Sequence, residues 1–314
     1  MPALAQATMP NPIRLGTRGS PLALTQAHMT RAALIAAHGL DENDVEIVVI
    51  KTTGDQVQDR ALAEIGGKAL WTKELDRALM DGEIDASVHS MKDVETIRPT
   101  EIAIAAMLPR ADVRDRILGA PSVAELKPDP VIGTSSPRRA AQVRRLRPDA
   151  RIVLFRGNVA TRIAKLDAGE ADATLLAAAG LERLGHADIG HAIPIDVMLP
   201  APSQGAVGIE CRADDARMRA MIGAISHADT YACVMAERGL LAALGADCHS
   251  PVAALARIAD GRMRLRAELF AEDGSDHVAG EAEAASDDAM MPRALAAELL
   301  ACAPASITRL FSGG

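Results

Sequence analysis

The chain has 314 residues, a length that predicts two or three domains. Its formal net charge of −8 argues against a general affinity for nucleic acids or anionic membranes. No apolar run approaches the roughly 18–20 residues that cross a bilayer. The N-terminal stretch MPALAQATMPNP lacks the basic and apolar parts of a secretory signal, so it predicts a disordered lead-in.

The cysteines indicate the compartment. Cys211, Cys233, Cys248 and Cys302 are widely spaced, and none belongs to a CxxC pair. This spacing favours a reducing cytoplasm over a disulfide framework or a zinc site. We therefore predict a cytoplasmic protein that binds no metal and no membrane.

The first two-thirds of the chain alternate β-rich and helical stretches. The first series predicts strands at 13–17, 45–53, 84–91 and 101–108 and helices at 21–39 and 73–83. A second series begins near 109–130, with strands at 130–135, 151–155 and 205–212. Repeated βαβ units predict mainly parallel sheets, and the restart predicts two lobes.

The pattern changes after about residue 225. A helix at 226–245 precedes three β-like runs at 252–258, 262–270 and 277–284, and a last helix follows at 288–302. Asp-Gly at 260–261 and Asp-Gly-Ser at 273–275 predict hairpins between these runs. The segment is typical of a small antiparallel α+β domain, and Cys248 lies in the loop after its first helix.

Positive charge is concentrated in residues 138–162, which hold eight arginines against one acid, Asp149. Arg144, Arg145 and Arg147 have the spacing of a solvated helix face. A concentration of this kind in an acidic protein predicts that some of the other arginines bind an anion.

Four of these arginines occupy positions suited to a ligand. Arg138 and Arg139 follow GTSSP, where hydroxyl groups and main-chain N–H groups meet a helix start. Arg156 directly follows a strand, and Arg162 comes two helical turns later. Guanidinium groups suit carboxylates and phosphates, so the array predicts a ligand with several anionic groups. Nucleic acid is the competing ligand, but few aromatic residues could stack on its bases.

Two further polar segments follow predicted strands. Lys92 and Asp93 emerge at the C-terminal end of strand 84–91, the edge where α/β proteins place catalytic groups. A structural Lys–Asp pair that caps the loop is the alternative. Arg18 and Ser20, in GTRGS, form another turn suited to an anion.

The long segment 52–71 is polar and rich in glycine. Gly66 and Gly67 form a potential hinge before Lys68. Long loops in compact domains are often lids, so this segment predicts either a lid or a plain connection.

Cys248 is the cysteine that packing explains least. The other three cysteines lie within strand or helix patterns and are typical of buried residues, whereas Cys248 lies in a Gly/Ser/Pro turn. His249 is a poor general base for it, because adjacent side chains usually diverge. A thiolate that anchors a covalent group needs no such base.

Taken together, these residues resemble the porphobilinogen deaminase, or hydroxymethylbilane synthase, family. The resemblance covers residues 14–253 through these stretches, in order: RLGTRGSPLALTQA, KTTGDQ, IGGKALWTKELDRALMDGEIDASVHSMKDV, LPRADVRD, GTSSPRRAAQ, FRGNVATRIAKLDAGEADATLLAAAGLERLG, LPAPSQGAVGIECR and GADCHSPVA. The combination of SSPRRAAQ, RGNVATR and HSMKDV is highly specific.

The resemblance implies an α/β fold with two type II periplasmic-binding-protein-like lobes of mainly parallel sheets. A small C-terminal α+β domain with a three-stranded antiparallel sheet would complete it. The implied domains are 13–108 with 201–225, then 109–200, then 226–314.

The resemblance also implies the chemistry. Cys248 would hold a dipyrromethane cofactor through a thioether, and the enzyme would join four porphobilinogen molecules head to tail, with loss of ammonia, into the linear tetrapyrrole hydroxymethylbilane. Asp93 matches the catalytic aspartate, which would stabilise a cationic intermediate and move a proton to the departing amine. The positions that match carboxylate-binding and supporting residues are Arg18, Ser20, Lys92, Thr134, Ser135, Ser136, Arg138, Arg139, Arg156, Arg162 and Arg183. Gly66, Gly67 and Lys68 match the lid.

The implied partners are porphobilinogen and its oligomers, with a monomeric protein that hands its product to the next pathway enzyme. Three positions depart from the family pattern: Trp71 stands in place of Phe, Glu64 in place of Lys and Ser203 in place of Gly. A two-lobed binding protein for a small carboxylate is one alternative, but it predicts a secretion signal and leaves Cys248 without a role. A cysteine acyltransferase or hydrolase is another, but it lacks a credible base.

Overall fold

The computed structural model describes residues 11–51 and 72–311. The chain divides into two compact units. One comprises the residues up to Arg110 together with Ala206–Ala228, and the other comprises Ala111–Gly205 and Asp229–Gly314. Within the described ranges, no helix has the length and apolar character needed to span a membrane.

The first unit is built on a five-stranded sheet. Its strands lie in the order β2 (Val45–Ile50), β1 (Ile13–Arg18), β3 (Ala86–Ser90), β10 (Val207–Arg212) and β4 (Ile102–Met107). Four of these strands run in one direction, and β10 runs against them. Through β10 the chain returns to this sheet and lies between two strands formed much earlier in the sequence.

Helices cover both faces of this sheet. They are α1 (Pro21–His38), α2 (Lys73–Met80) and α6 (Ala216–Gly223). The hydroxyl of Ser20 caps α1 by accepting the N–H of Ala23 at 3.3 Å, and Gly39 closes the helix at φ +64°. Leu34 of α1 packs in the core on one face of the sheet, and Leu75 of α2 packs in the core on the other.

The second unit contains another five-stranded sheet. Its strands lie in the order β7 (Arg151–Val153), β6 (Val131–Gly133), β8 (Ala173–Ala177), β5 (Asp115–Leu118) and β9 (His191–Ala192). Again four strands share one direction, and here β5 is the strand that opposes them. The helices of this part are α3 (Pro137–Leu146), α4 (Val159–Asp167) and α5 (Ala178–Arg183).

The same unit contains a three-stranded antiparallel sheet of β11 (Val252–Ala259), β12 (Arg262–Phe270) and β13 (His277–Ala285). The associated helices are α7 (Ala228–Leu244), α8 (Met291–Cys302) and α9 (Ala305–Thr308). Asp260 and Gly261 both have positive φ, +51° and +74°, as a two-residue type I′ hairpin requires. Phe270 and Leu255 pack with Ala141 of α3, which joins this sheet to the neighbouring α/β part.

The predicted fold class is confirmed, since two mainly parallel α/β sheets accompany a small antiparallel sheet. The strand predicted at 45–53 is assigned only as far as Ile50, and Lys51 is the last described residue before the gap. Neither β5 nor α6 was expected. β5 is only four residues long and begins with the charged pair Asp115-Arg116, so it lacks the apolar run that marks a buried strand. The predicted domain limits stay predictions.

Ser203 has the left-handed backbone that favours glycine. Its φ is +63°, and its main-chain N–H donates to the carboxylate of Glu237 at 2.5 Å. Both residues are buried. The turn that contains Ser203 also carries Gln204, whose amide donates to Asp115 at 2.9 Å. The backbone therefore explains why the family pattern has Gly at this position, and Ser203 adopts the same conformation with strain.

We expect Ser203→Gly to stabilise the protein. The left-handed region costs an L-residue roughly 1–2 kcal/mol, and the extra chain entropy of glycine offsets about 0.5–1 kcal/mol of the relief. The expected gain in the free energy of unfolding is thus about 0.5–1 kcal/mol, measured by urea denaturation. Ser203→Ala, which keeps the Cβ atom, should show no such gain. A loss of stability in Ser203→Gly would mean that the serine side chain outweighs the backbone strain.

Candidate functional site

A cleft opens in the first unit at the C-terminal ends of β1 and β3. Its empty space, which includes open solvent, is about 430 Å³. The polar residues that line it include Arg18, Ser20, Gln26, Thr72, His89 and Asp93. The helices α1 and α2 cover opposite faces of the sheet, so the cleft lies where a doubly wound sheet binds its ligands.

Arg18 and Ser20 enter the cleft through the junction between β1 and α1. Arg18 is the last residue of β1, and Ser20 is the N-cap of α1. Gln26, one turn into α1, donates from Nε2 to the Oγ of Ser90 at 2.7 Å. This bond links the helix to the end of β3, three residues before the catalytic candidate Asp93.

Asp93 ends a short 3₁₀ turn, Met91–Asp93, that follows β3. Its side chain is exposed and lines the cleft, whereas Lys92 is half-buried and is not among the lining residues. The Met91 N–H donates to the carbonyl of Ala206 at 3.1 Å. A Cβ atom on Gly208 of β10 would lie 2.1 Å from the Met91 Sδ, so a larger residue there would displace the Met91 side chain.

A buried charge network lies beside the cleft. Arg98 donates to both oxygens of Glu210 at 2.8 and 2.9 Å, to Glu95 at 2.6 Å and to Asp76 at 2.5 Å. His89 Nε2 lies 3.1 Å from Glu210 Oε2. Burial alone raises the pKa of Glu210, but the contacts with His89 and Arg98 outweigh it and lower the pKa to about 2. Glu210 is therefore ionised.

Sequence reasoning missed the members of this network. His89 lies within the quoted HSMKDV, and Glu210 lies within GIECR, but no local pattern pairs residues that are so distant in sequence. The signal that could have found them is strand alternation. Ser87 and His89 share one face of β3, and Glu210 is the direct partner of Ser87 on β10.

In the second unit, Arg138 and Arg139 are buried at the start of α3. They donate to the two oxygens of Asp115, each at 2.7 Å, and Gln204 donates to the same carboxylate. Burial raises the pKa of Asp115, but the two arginines outweigh it and hold this pKa well below its usual range. The Nε atoms of both arginines are buried without a hydrogen-bond partner in the described parts of the chain. The two arginines thus stabilise the buried carboxylate of Asp115, and their Nε–H donors remain unused among the described residues.

The predicted hydroxyl turn lies between β6 and α3. Thr134 is buried and its Oγ1 accepts the N–H of Ser136 at 3.1 Å. Ser136 is the N-cap of α3 and accepts the N–H of Arg139. Arg162, on α4, reaches the hydroxyl of Ser135 at 3.5 Å, so the structure brings these predicted residues together.

Arg156 and Arg183 differ from the buried Arg138 and Arg139 because each is only half-buried. Arg156 Nη1 is buried and has no hydrogen-bond partner in residues 11–51 and 72–311. Arg183 donates from Nη2 to the carbonyl of Gly205 at 2.7 Å, while its Nε is buried without a partner in those ranges. Burial lowers the pKa of Arg183. A buried donor atom without a partner is costly, and an anionic ligand would supply the missing acceptors.

Cys248 lies in the loop between α7 and β11, as the sequence predicts, and is exposed. Gly245, at φ +64°, ends the helix. The carboxylate of Asp247 accepts the N–H of His249 at 2.9 Å, and the Asp247 N–H donates to Ser250 Oγ at 3.1 Å. These bonds define the backbone on both sides of the thiol.

Some predicted features fall outside the described ranges, namely Gly66, Gly67 and Lys68 of the lid and the departures Glu64 and Trp71. In the part that the structure describes, no group of three or more His, Cys, Asp or Glu side chains could hold a metal ion.

Comparisons with known proteins agree over nearly the whole chain. Residues 13–220 match the family described as "Porphobilinogen deaminase, dipyromethane cofactor binding domain", and residues 231–301 match "Porphobilinogen deaminase, C-terminal domain". A porphobilinogen deaminase of Sphingopyxis alaskensis is 62% identical over 312 residues, which cover 98% of each chain. One of Paracoccus denitrificans is 52% identical and covers 94% of this chain and 96% of the relative.

Solved structures with a similar backbone are more distant. A VFT2 domain of Bordetella pertussis BvgS is 14% identical with a TM-score of 0.40, over 73% of this chain and 90% of the domain. An ancestral arginine-binding protein is also 14% identical, with a TM-score of 0.37, over 69% of this chain and 92% of its own. The family matches together span both units, and with the two close relatives they establish that the chain belongs to the porphobilinogen deaminase family.

Proposed function

We propose that Asp93, Cys248 and the two incompletely paired arginines, Arg156 and Arg183, carry out the reaction of this family. That reaction joins four porphobilinogen molecules head to tail and releases ammonia at each addition, so the protein is a transferase of tetrapyrrole biosynthesis. The observation that carries the assignment is the cleft that collects Arg18, Ser20 and Asp93 at the end of the sheet. It combines an anion-binding turn with an exposed carboxylate.

The dipyrromethane cofactor of the family fits the residues of this chain. Each pyrrole of the growing chain carries two carboxylates. Two buried guanidinium atoms that have no partner among the described residues, Arg156 Nη1 and Arg183 Nε, are suited to bind them. When bound, the cofactor supplies the pyrrole to which the first substrate is joined. We assign its attachment to the exposed Cys248.

Asp93 would act on the charge that develops in the reaction. When the C–N bond of porphobilinogen breaks, positive charge spreads over the methylene carbon and the pyrrole ring. A carboxylate close to the pyrrole N–H stabilises this charge more strongly in the transition state than in the substrate. Asp93 is suited to this task because its carboxylate is exposed at the cleft.

Arg18 and Ser20 would orient the substrate. Main-chain N–H groups at the start of α1 and the Arg18 guanidinium favour a carboxylate at this junction. Binding of the acidic side chains of the substrate would orient its aminomethyl group for C–N cleavage. Binding of the growing pyrrole chain would be supported by Thr134, Ser135, Ser136, Arg138, Arg139, Arg162 and Lys92.

We further propose that the protein acts as a cytoplasmic monomer and passes its linear product directly to the next enzyme of the pathway. Its four cysteines are free thiols, which is the state expected in a reducing compartment.

Attachment at Cys248 predicts a covalent adduct. The intact mass of the purified protein should exceed the mass of its sequence by one dipyrromethane, and Cys248→Ser should lack this increment and its activity. Cys302→Ser is the matched control, because Cys302 is the other exposed thiol among the described residues and should keep the adduct. Burial raises the pKa of Cys211 to about 11, which makes that thiol a poor nucleophile. A fully active protein without the mass increment would contradict the assignment.

Asp93→Asn tests the catalytic carboxylate. Because Asp93 is exposed, the variant should keep its stability and its covalent adduct. Loss of a preorganised charge at the transition state costs about 10²–10³-fold in kcat, which steady-state product formation would measure. Asp93→Glu keeps the charge but displaces it, so its rate should lie between those of the wild type and Asp93→Asn. A nearly normal rate in Asp93→Asn would remove Asp93 from the chemistry.

Arg156→Leu tests ligand binding, and Arg138→Leu tests the buried pair with Asp115. Arg156→Leu should leave the free energy of unfolding nearly unchanged and weaken substrate binding about tenfold or more, since hydrogen bonds to charged groups contribute about 1.5–3 kcal/mol. Arg138→Leu removes one partner of the buried Asp115 and should destabilise the fold by about 3–5 kcal/mol. Substrate titration and urea denaturation measure the two effects. Unchanged kinetics at every addition in Arg156→Leu would favour a solvated arginine.

A further inference from the structure

His89 lines the same cleft as Asp93 and has no role in the assignment above. Its side chain is only 5% exposed. Nε2 lies 3.1 Å from Glu210 Oε2 and 3.0 Å from the hydroxyl of Ser87. A buried carboxylate thus contacts one ring nitrogen, as in many histidines that transfer protons in enzymes.

The partner of Nε2 determines which nitrogen carries the hydrogen. Glu210 is fully buried and ionised, and a carboxylate can only accept a hydrogen bond. Nε2 must therefore be the N–H, and in the neutral ring the lone pair lies on Nδ1. Nδ1 has no hydrogen-bond partner in the part of the chain that the structure describes. His89 is one of the residues that line the cleft, and Nδ1 is the nitrogen of its ring that Glu210 leaves free to act as a base.

The network around Glu210 keeps this arrangement rigid. Arg98 binds both oxygens of Glu210 and is itself held by Asp76 of α2 and by Glu95, two residues after Asp93. The position of the ring is thus set by the same network that anchors the segment after the catalytic turn. Such preorganisation lowers the reorganisation required when a proton is transferred.

The reaction requires a second proton acceptor. At each addition the protonated aminomethyl group leaves as ammonia with the electron pair of the C–N bond. A C–C bond then forms between that methylene carbon and the free α-carbon of the last pyrrole of the growing chain, which from the second addition onward is the porphobilinogen unit added before it. This α-carbon must lose its hydrogen as a proton, and the C–H electron pair restores the aromatic ring. Asp93 stabilises positive charge only while it is ionised, so a separate base lets it remain so.

We propose that His89 Nδ1 is the base that removes this α-proton, with Glu210 fixing its tautomer, and that the proton then passes to solvent. The inference rests on the proposed role of Asp93 in the same cleft. His89 would be a catalytic residue, and Glu210 would be a positioning residue that acts through it.

The test compares His89→Gln with the wild type, using porphobilinogen deuterated at its free α-carbon. The glutamine amide can replace the Nε2–H bond to Glu210 but has no basic nitrogen. Turnover should fall by about 100-fold or more, the usual contribution of general base catalysis. The deuterium isotope effect should become larger than in the wild type, because proton removal becomes rate-limiting. Intact mass would verify that the variant carries its cofactor.

Thr72→Val is the control. Thr72 lines the same cleft and donates to Glu95, but it cannot accept the α-proton as a base. A purely structural disturbance should lower its rate without raising the isotope effect. An unchanged isotope effect in His89→Gln would overturn the role of His89 and leave that of Asp93 intact. A normal rate in Asp93→Asn would instead refute the proposed function.

A second measurement is independent of turnover. In ¹⁵N-histidine-labelled protein, the signal of His89 is identified by its absence from the spectrum of His89→Gln. Its ¹⁵N shifts should report an Nε2–H tautomer with unprotonated Nδ1, and Glu210→Gln should remove this preference. A hydrogen on Nδ1 of the neutral ring in the wild type would overturn the proposal even if the substituted enzyme failed to load its cofactor.

Discussion

Asp115 makes it possible to bury two arginines at the start of α3. A guanidinium removed from water loses several kcal/mol of solvation, and only a well-placed anion returns most of it. Asp115 supplies one oxygen to Arg138 and the other to Arg139, and Gln204 donates to the same carboxylate. The cluster retains an excess positive charge. A protein that binds a chain of carboxylates needs such an excess, and the second unit depends on this carboxylate to maintain it.

Local signals made much of the fold predictable. Some features depend only on a few adjacent residues, so they can be predicted from the local sequence. Examples are the N-cap Ser20, the Gly39 end of α1 and the Asp260-Gly261 hairpin. The repeated βαβ rhythm predicts two sheets for the same reason. The strand β5 was not predicted, because it forms through pairing with β8 and β9 rather than through its own composition.

The site was predictable only in part. Arg18, Ser20 and Asp93 were expected at strand ends, and the structure brings them into one cleft. The arginine-rich segment was expected to bind an anion as a group, yet its members differ. Arg138 and Arg139 bind the buried Asp115, whereas Arg156 is only half-buried and its Nη1 has no hydrogen-bond partner in the described ranges. Only tertiary contacts between distant residues separate these cases, and no charge pattern along the chain contains them.

Three carboxylates illustrate how environment assigns a role. Asp115 and Glu210 are fully buried, and each contacts two basic side chains, so their charge is already balanced within the fold. Asp93 is exposed, and in the described ranges it forms no ion pair. A carboxylate that is already neutralised by a resident cation gains little when a new positive charge appears beside it. The reaction creates such a charge at every addition, so a carboxylate that forms no ion pair with the described residues, as Asp93 does not, is better suited to stabilise it than Asp115 or Glu210.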